Sequence, residues 1–303
     1  MQGLLRFWGT AVLLCLTLFF AVATLAIISN TWFADDHFPG GQDRVAIIDL
    51  KGVIYKSGSF TRKVSRLLED GKVKALVVRI NSPGGLVGPS QEIFQILKKA
   101  NEKVPVIASI GSVGASGGYY AALGARKIFA NPGSLTASIG VISEFANLEK
   151  LYQWAKIDRF ALKSGKLKDV GSETRKMTPE EREFLTAMLN DIHDEFKKTV
   201  QTQRKLTPEE TEKWTDGRVM TGSQAFKAKL VDGLGGIEDA LVEAKRTANL
   251  PEKAPVEYPE SQRKGLLREL LSSDDEDSMM GKLADALLRP KSGWRILLLA
   301  PIQ

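Results

Sequence analysis

A serine and a lysine give this chain its clearest route to nucleophilic catalysis. Ser116 lies in the glycine-rich run Gly114–Tyr120, and Lys168 follows in the run Ser164–Asp169. The chain has only two histidines and one cysteine. A serine nucleophile that lacks a usable histidine needs another base, and a lysine kept neutral by burial is the simplest one. The residue types therefore predict Ser–Lys chemistry.

The lysine must lose its proton near neutral pH to act as a base. A free lysine has a pKa near ~10.4, and burial lowers that pKa because the charged form is disfavoured away from water. Most lysines are solvated surface charges, and this interpretation fits Lys163, Lys166 and Lys168 equally. A hydroxyl beside the amine would fix its direction, and residue chemistry leaves both Thr136 and Ser138 open for this role.

Two glycine-rich turns are predicted to form a cleft around the serine. Asn81–Gly85 follows one apolar run, and Gly114–Gly118 follows another. Glycines at a strand end let the backbone turn sharply and present amides to a ligand. Two parallel strands that end in such turns build a cleft at the carboxyl edge of the sheet. The plainer alternatives are an ordinary turn, and an ordinary helix N-cap at Ser116.

The elements that must position these residues alternate between strands and helices. Strands are predicted at Val45–Leu50, Ala75–Ile80, Val104–Ser109 and Lys127–Ala130, and helices at about Thr61–Glu69, at Pro89–Ala100 and from Ser116. A strand–helix–strand rhythm favours parallel pairing with helical crossovers. We therefore expect an α/β fold built from βαβ units.

Two later helices have strong start signals. Thr178 and Thr207 each precede a proline and two glutamates, the pattern of a capping box with proline in the first turn. In the first of these helices an apolar residue recurs at every fourth position: Phe184, Met188, Ile192, Phe196 and Val200. His193 lies beside this stripe, and we interpret it as a partly exposed surface residue that lacks partners.

The N-terminus contains a candidate membrane anchor. Phe7–Ile28 has 22 residues without a charge, enough for a helix to cross a ~30 Å hydrocarbon core. A cleaved signal peptide is the alternative, although its apolar region is normally only ~7–15 residues long. Arg6 before the run favours an N-terminus inside and the bulk of the chain outside. We divide the chain into an anchor, 1–30, a linker, 31–44, a main domain, 45–250, and a flexible tail, 251–303.

Composition narrows the classes of function. The chain has 42 basic and 36 acidic residues, which give a formal charge of +6, and the two signs are interspersed. The sequence has no basic stripe with interleaved aromatic residues, so we expect no nucleic-acid partner. One cysteine cannot form an internal disulfide. We also expect neither a metal ion nor a cofactor.

Several short motifs resemble those of the signal peptide peptidase A family, SppA, which is peptidase family S49. They occur in the family's order between Val45 and Leu250, and the set is highly specific although each motif is short. The matching runs are Arg79–Gly85, Ala115–Tyr120, Thr136–Val141, Ser164–Asp169, Asp216–Val219 and Leu230–Gly235. The sequence has no internal repeat and is similar to the half-size, single-domain form. Ala137 replaces a more usual glycine, and we expect no functional consequence.

The resemblance implies a Clp/crotonase-like fold with Ser116 as nucleophile and Lys168 as general base. It implies that Ser138 orients the lysine and that Gly85 and Gly117 belong to the oxyanion hole. The family cleaves remnant signal peptides and other membrane-derived peptides, preferring small or hydrophobic residues. Half-size members assemble as octamers, so the resemblance allows a Ser–Lys pair across a subunit boundary. From this resemblance, together with the uncharged run Phe7–Ile28 and Arg6, we expect a single-pass protein of the inner membrane whose catalytic domain is extracytoplasmic.

The C-terminal residues resemble a substrate of such an enzyme. Leu297–Ala300 is apolar and ends in a small residue. We therefore expect that this segment can occupy a peptide-binding groove and be trimmed by the enzyme.

Two other functions are weighed against a peptidase. A crotonase-fold acyl-CoA enzyme needs neither a membrane anchor nor this serine and lysine. An inactive scaffold that binds membrane peptides would not need the catalytic residue types that the sequence retains. Coenzyme A binding would favour the first alternative, and a serine-directed probe that fails to label Ser116 would favour the second.

Overall fold

The computed structural model describes residues 16–22, 24, 41–258 and 297–299, which fall in two units, Met1–Gln42 and Asp43–Gln303. In the first unit, residues 16–22 and 24 are helical, and their apolar side chains Leu18, Phe19 and Phe20 are exposed. Within the described part of the chain, no helix combines the length and the apolar character needed to cross a membrane. Most of the predicted anchor and linker lies outside the described residues.

The second unit is built on a mostly parallel sheet. Its strands are β1 (Arg44–Lys51), β2 (Val73–Ser82), β3 (Gly84–Leu86), β4 (Val106–Ala115), β5 (Lys127–Ala130), β6 (Leu135–Ala137), β7 (Val219–Thr221), β8 (Gly233–Leu234), β9 (Val256–Glu257) and β10 (Leu297–Leu299). The main sheet has the order β7–β6–β4–β2–β1–β9, with β5 beside β4 and β8 beside β5. Within it β7 runs antiparallel to β6. β3 and β10 form a separate antiparallel pair.

Helices cover both faces of this sheet. They are α1 (Gly58–Glu69), α2 (Val87–Lys103), α3 (Gly117–Ala122), α4 (Glu149–Trp154), α5 (Pro179–Arg204), α6 (Pro208–Trp214), α7 (Gly222–Lys227) and α8 (Ile237–Thr247). Most of them pack on one face, where the larger apolar core lies. On the other face α8 buries Ala240, Leu241 and Ala244 against alternate strand residues such as Val77 and Ile107. The alternation of side chains along a strand supplies both cores.

The predicted alternation of strands and helices is confirmed. Every predicted element of the βαβ run overlaps an observed one, and β1, β2 and β4 are parallel, with Val45 opposite Ala75 and Val77 opposite Ile107. β2 is buried along most of its length because helices cover both faces of a parallel sheet. The carboxyl ends of β2 and β4 therefore lie side by side.

The two predicted helix starts are confirmed as capping boxes. The amide of Glu181 donates to Thr178 Oγ1 at 3.2 Å, and the amide of Thr178 donates back to the Glu181 carboxylate at 2.9 Å. Thr207 and Glu210 repeat this exchange at the start of α6. Each box satisfies amides that a helix start leaves without an intrahelical partner.

The apolar stripe predicted along α5 is only half right. Phe196 is 1% exposed, but Phe184 is 46% exposed. The larger core contains Phe196 and Val200 from this helix, both from its C-terminal half. In the N-terminal half the buried apolar residue is Leu185, which follows Phe184, and periodicity alone cannot show which face of a long helix the core covers.

Two short parts of the predicted tail have regular structure. β9 pairs in parallel with β1, with Val256 opposite Val45, and Ala254 beside it is buried. β10 pairs with β3, with Leu298 opposite Gly85. The rest of the tail from residue 259 lies outside the described residues.

Candidate active site

Ser116 occupies a strained turn between β4 and α3. Its backbone has φ 52° and ψ −119°, a conformation that residues other than glycine rarely adopt. Strain of this kind costs on the order of 1–3 kcal/mol and persists where the surrounding structure fixes it. The hydroxyl is fully buried and has no hydrogen-bond partner among the described residues. It makes no capping bond to α3, so the ordinary N-cap interpretation is wrong.

The backbone beside Ser116 is strained as well. Ala137 and Ser138 have φ of 63° and 50°. β6 runs parallel to β4 with Ala115 opposite Ala137, and the amide of Ser116 donates to the Ala137 carbonyl at 2.7 Å. A left-handed backbone favours glycine, which explains why glycine is the usual residue at position 137 in the family that the sequence resembles. The three strained residues therefore meet at one point of the sheet edge.

The two glycines predicted for an oxyanion hole are neighbours in space. A methyl group added at Gly117 would lie 2.4 Å from Ser90 Oγ and 3.2 Å from the amide nitrogen of Gly85. A methyl group added at Gly85 would lie 2.2 Å from the Ile54 carbonyl oxygen. Both positions thus require glycine for close backbone approach. The turns after β2 and β4 therefore approach each other closely at these two glycines.

Hydrogen bonds that involve Gly52 and Ile54 hold one edge of β3 in place. The amide of Ile54 donates to the Gly84 carbonyl at 2.8 Å, and the amide of Leu86 donates to the Ile54 carbonyl at 2.7 Å. Ser82 Oγ donates to the Gly52 carbonyl at 2.7 Å and accepts a bond from the amide of Gly84 at 3.2 Å. Groups held in this way can act as a preorganised binding surface.

β10 lies along the other edge of β3. The two strands pair antiparallel over Gly84–Leu86, and β10 also lies against α3, the helix that follows Ser116. An extended chain added to an exposed strand edge is a common way to bind a peptide. The C-terminal segment therefore occupies a peptide-like position at the predicted cleft.

Lys168 differs from these buried residues in its surroundings within one chain. Its side chain is exposed, and Ser116 Oγ has no hydrogen-bond partner among the described residues, so the chain forms no Ser116–Lys168 hydrogen bond by itself. The structure thus brings Ser116, Ser138, Gly85 and Gly117 together and leaves the predicted base outside the group.

A charged network supports the loop that carries Lys168. Asp169 accepts from Lys163 and from Arg175 Nε, the second bond being 3.2 Å long. Arg175 also donates to both carboxylate oxygens of Glu181, at 2.9 and 2.5 Å. These bonds lower the pKa of Glu181 to about 2, and the bonds from Lys163 and Arg175 lower the pKa of Asp169. The loop is therefore tied to the start of α5.

The two hydroxyls that residue chemistry left open have different surroundings. Thr136 Oγ1 donates to the Gly114 carbonyl at 2.8 Å and is fully buried, so it braces β6 against β4. Ser138 is also buried, and its amide donates to the Arg218 carbonyl at 2.9 Å. Because Ser138 lies beside the strained turn at Ser116, its hydroxyl fits the predicted role beside a lysine better than the hydroxyl of Thr136 does.

His193 has partners that the sequence did not reveal. Its Nε2 lies 3.0 Å from the Ile139 carbonyl oxygen and 2.8 Å from the Thr215 carbonyl oxygen. The predicted partial exposure is confirmed, but the predicted lack of partners is wrong. Both acceptors are backbone atoms far away in the chain, and no local sequence pattern signals such a contact.

Residues 142–162, here called the apolar arm, expose an unusual amount of apolar side chain. Trp154 is 80% exposed, Phe160 85% and Leu162 94%. Other exposed apolar residues of the arm are Ile142, Phe145, Leu151 and Ile157. Several large apolar side chains exposed in one segment indicate an interaction site. The arm directly precedes the loop that carries Lys168.

Comparison with a family model and with known proteins indicates a peptidase family. A family model described as "Peptidase family S49" matches residues 98–251. A protein named as a protease in Synechocystis sp. is 41% identical over 249 residues, which cover 80% of this chain and 87% of that protein.

Two further relatives are longer than the region they share with this chain. Serine protease SPPA, chloroplastic, of Arabidopsis thaliana is 34% identical over 70% of this chain, and the match spans 33% of that protein. A protein named as signal peptide peptidase SppA in Enterococcus faecium is 33% identical over 67% of this chain, and the match spans 60% of that protein.

Proposed function

Because this chain belongs to peptidase family S49, we propose that it is a serine endopeptidase in which Ser116 is the nucleophile and Lys168 the general base. The observation that carries this proposal is Ser116, whose backbone is strained and whose buried hydroxyl has no partner among the described residues, beside two closely packed glycine turns. A buried polar atom without a partner normally costs stability, so its presence supports a catalytic role.

In the proposed reaction Lys168 accepts the Ser116 hydroxyl proton while the serine oxygen attacks the peptide carbonyl carbon. The amides of Gly85 and Gly117 stabilise the negative charge that develops on the carbonyl oxygen. The C–N bond then breaks, and the lysine returns the proton to the leaving amine. A water molecule, deprotonated by the same lysine, then attacks the acyl ester. The ester C–O bond breaks, the lysine returns the proton to the Ser116 oxygen, and the second product leaves as a carboxylic acid.

We further propose that the Ser–Lys pair forms between two copies of the chain. Support comes from the exposure of Lys168 and from the missing partner of Ser116 Oγ within one chain. The exposed side chains of the apolar arm, Trp154 and Phe160 among them, would gain stability from burial in an oligomer such as an octamer. Burial there would also lower the lysine pKa, as a base requires.

Ser138 is proposed to orient the lysine. Its buried position beside Ala137 is fixed by the bond between its amide and the Arg218 carbonyl. Thr136 is the less suitable hydroxyl because it already donates to Gly114. A hydroxyl next to an amine can accept one of its hydrogens and aim its lone pair at the serine.

The substrates are proposed to be remnant signal peptides and other membrane-derived or misfolded peptides, bound as a strand along β3. The pairing of β10 with β3 supports this binding mode. The uncharged run Phe7–Ile28 supports a membrane anchor with the catalytic unit on the extracytoplasmic side. Resistance of the full-length protein to extraction from membranes by high pH would test the anchor.

A mixing experiment tests the catalytic pair and its location together. Cleavage of a fluorogenic peptide with small apolar residues is measured for the wild type, Ser116→Ala and Lys168→Ala, and then for the two variants unfolded and refolded together. Each variant alone should be inactive. If subunits mix at random and the pair forms between chains, about one site in four regains both residues. Full activity in either single variant would contradict the proposed chemistry.

The remaining outcomes separate the alternatives. Two inactive variants that stay inactive after mixing would place the pair within one chain. Failure of a fluorophosphonate probe to label Ser116 in the wild type would favour a peptide-binding scaffold. Tight binding of coenzyme A, with no peptide cleavage, would favour an acyl-CoA enzyme.

A further inference from the structure

His193 connects two loops that lie at the predicted active site. The residue belongs to α5, and its ring lies partly buried against the turn after β6 and the turn after α6. Nε2 is 3.0 Å from the carbonyl oxygen of Ile139, the residue after Ser138. The same nitrogen is 2.8 Å from the carbonyl oxygen of Thr215.

The chemistry of these contacts fixes the role of the nitrogen. A carbonyl oxygen can only accept a hydrogen bond, so Nε2 must carry the hydrogen and donate to both partners. A shared donor of this kind holds two backbone segments at a fixed separation. Thr215 is fully buried and Ile139 is fully buried, so little water competes for these bonds.

The two loops also contact each other directly. The amide of Ser138 donates to the Arg218 carbonyl at 2.9 Å. A methyl group added at Gly140 would lie 3.1 Å from Gly217 Cα, so the two backbones approach closely. Arg218 closes its own loop by donating to both carboxylate oxygens of Asp216, at 2.8 and 2.6 Å. Its guanidinium lowers the pKa of Asp216 to about 2.

Ser138 needs such support because its backbone is left-handed. Ala137 and Ser138 follow each other at φ 63° and 50°. Both positions are strained, because a Cβ atom disfavours this backbone conformation. Such a conformation persists only when surrounding contacts fix it. The carbonyl of Ile139 is the next backbone acceptor after these two residues, and His193 is bound to it.

We propose that His193 is a positioning residue that holds Ser138 in the orientation required to direct the catalytic lysine. It acts through the Ile139 carbonyl and touches no reacting atom. The inference rests on the proposed function, because Ser138 matters only if Lys168 is the base. It adds α5 to the elements that shape the active site.

The test is a double-mutant cycle between His193 and Ser138. The quantity measured is the rate at which a fluorophosphonate probe labels Ser116. Intact mass spectrometry detects the labelled protein, so a rate can be measured even for variants that react slowly. His193→Leu removes the donor, and His193→Gln keeps an N–H group at a similar reach. Asp194→Asn, an exposed neighbour on the same helix, is the matched control. Thermal unfolding of each full-length variant is measured in parallel.

We expect His193→Leu to slow labelling about ten-fold, equivalent to about 1.4 kcal/mol, and His193→Gln to recover most of that loss. Asp194→Asn should label like the wild type. In a Ser138→Ala background, His193→Leu should slow labelling less than about two-fold, because the two residues act on the same step. A purely structural residue would slow labelling equally in both backgrounds.

Two results would overturn the inference. One is equal slowing by His193→Leu in both backgrounds, and the other is wild-type labelling of His193→Leu. If Lys168→Ala labels like the wild type, the proposed base is wrong. If Lys168→Ala fails to label while His193→Leu labels normally, only the role of His193 is wrong.

Discussion

The amide of Ser116 donates a 2.7 Å hydrogen bond to the carbonyl of Ala137. This bond joins two residues that both have positive φ, and it fixes the backbone of Ser116, the proposed nucleophile, whose hydroxyl has no partner among the described residues. The edge of the sheet therefore fixes the backbone position of Ser116 without a bound base or substrate. Preorganisation of this kind costs stability in the free protein.

The first prediction concerns that cost. Ser116→Gly and Ser116→Ala both remove the hydroxyl, but only glycine tolerates φ 52° and ψ −119° without strain. We expect the glycine variant to be more stable than the alanine variant by about 1 kcal/mol or more. The free energy of unfolding in urea measures the difference, and self-cleavage cannot interfere because both variants lack the nucleophile.

Ser134 offers a matched control for this comparison. It is a buried serine whose φ is not positive, and its hydroxyl donates to the Gly111 carbonyl. At such a position glycine should be less stable than alanine by roughly 0.5–1 kcal/mol. The order of the two variants should therefore reverse between positions 116 and 134. The same order at both positions would mean that Ser116 is not strained.

The second prediction concerns the close approach of Gly117 to Gly85. A methyl group at position 117 meets Ser90 Oγ at 2.4 Å and the Gly85 amide nitrogen at 3.2 Å. Gly117→Ala should push the turn after β2 away from Ser116 and lower kcat on the order of 10²-fold, the usual effect of losing an oxyanion donor. KM should change much less, because β3 still binds the peptide.

A substitution at Ser90 distinguishes the effects of the two contacts that this methyl group makes. Ser90→Ala removes the hydroxyl oxygen that lies nearest to the added methyl group. The double variant Gly117→Ala/Ser90→Ala should therefore be more stable than Gly117→Ala. The double variant should stay slow because the contact with Gly85 remains. Ser90→Ala alone should keep nearly full activity. Wild-type kcat in Gly117→Ala would remove Gly117 from the oxyanion hole.

The sequence predicted the frame of this fold well because its signals are local. The apolar runs Val45–Leu50 and Ala75–Ile80 and the capping box at Thr178 depend only on neighbouring residues, and all are confirmed. The glycine turns were placed at the sheet edge by the same reasoning. Their close contact at Gly85 and Gly117 agrees with that prediction.

The sequence could not predict features that depend on distant atoms or on rare backbone states. A serine before a helix ordinarily caps it, and nothing near Ser116 signals a left-handed φ. His193 binds carbonyl oxygens of Ile139 and Thr215, which periodicity cannot identify. The sequence left open whether Lys168 is buried or exposed in one chain, since a motif gives residue types without their surroundings.

The third prediction concerns acid stability of the Lys168 loop. The pKa of Glu181 in the folded chain is lowered to about 2, chiefly by the bonds from Arg175. A carboxyl whose pKa is depressed on folding stabilises the protein above its unfolded pKa of about 4.5 and loses that contribution as pH falls toward 2. Glu181→Gln should therefore be less stable at pH 7, by roughly 1–3 kcal/mol.

The difference between Glu181→Gln and the wild type should shrink as the pH falls from 4.5 to 2, because protonation removes the same charge from the wild type. Urea unfolding at several pH values measures it. Glu183→Gln, an exposed neighbour, should match the wild type throughout. A stability difference that does not change with pH would show that the Arg175 ion pair is not its source.

The last prediction concerns β10, which pairs with β3 beside the glycine turn after β2. A tethered strand competes with substrate at an effective concentration that can reach about millimolar. Removal of residues 297–303 should therefore raise kcat/KM for a short peptide several-fold by lowering KM. Leu298→Pro should act similarly, because proline cannot donate to a strand partner, whereas Leu298→Val keeps the strand and should behave like the wild type.

Intact mass should show slow loss of the tail in the wild type and none in Ser116→Ala. Unchanged KM in the truncated and proline variants would mean that the tail does not occupy the substrate position.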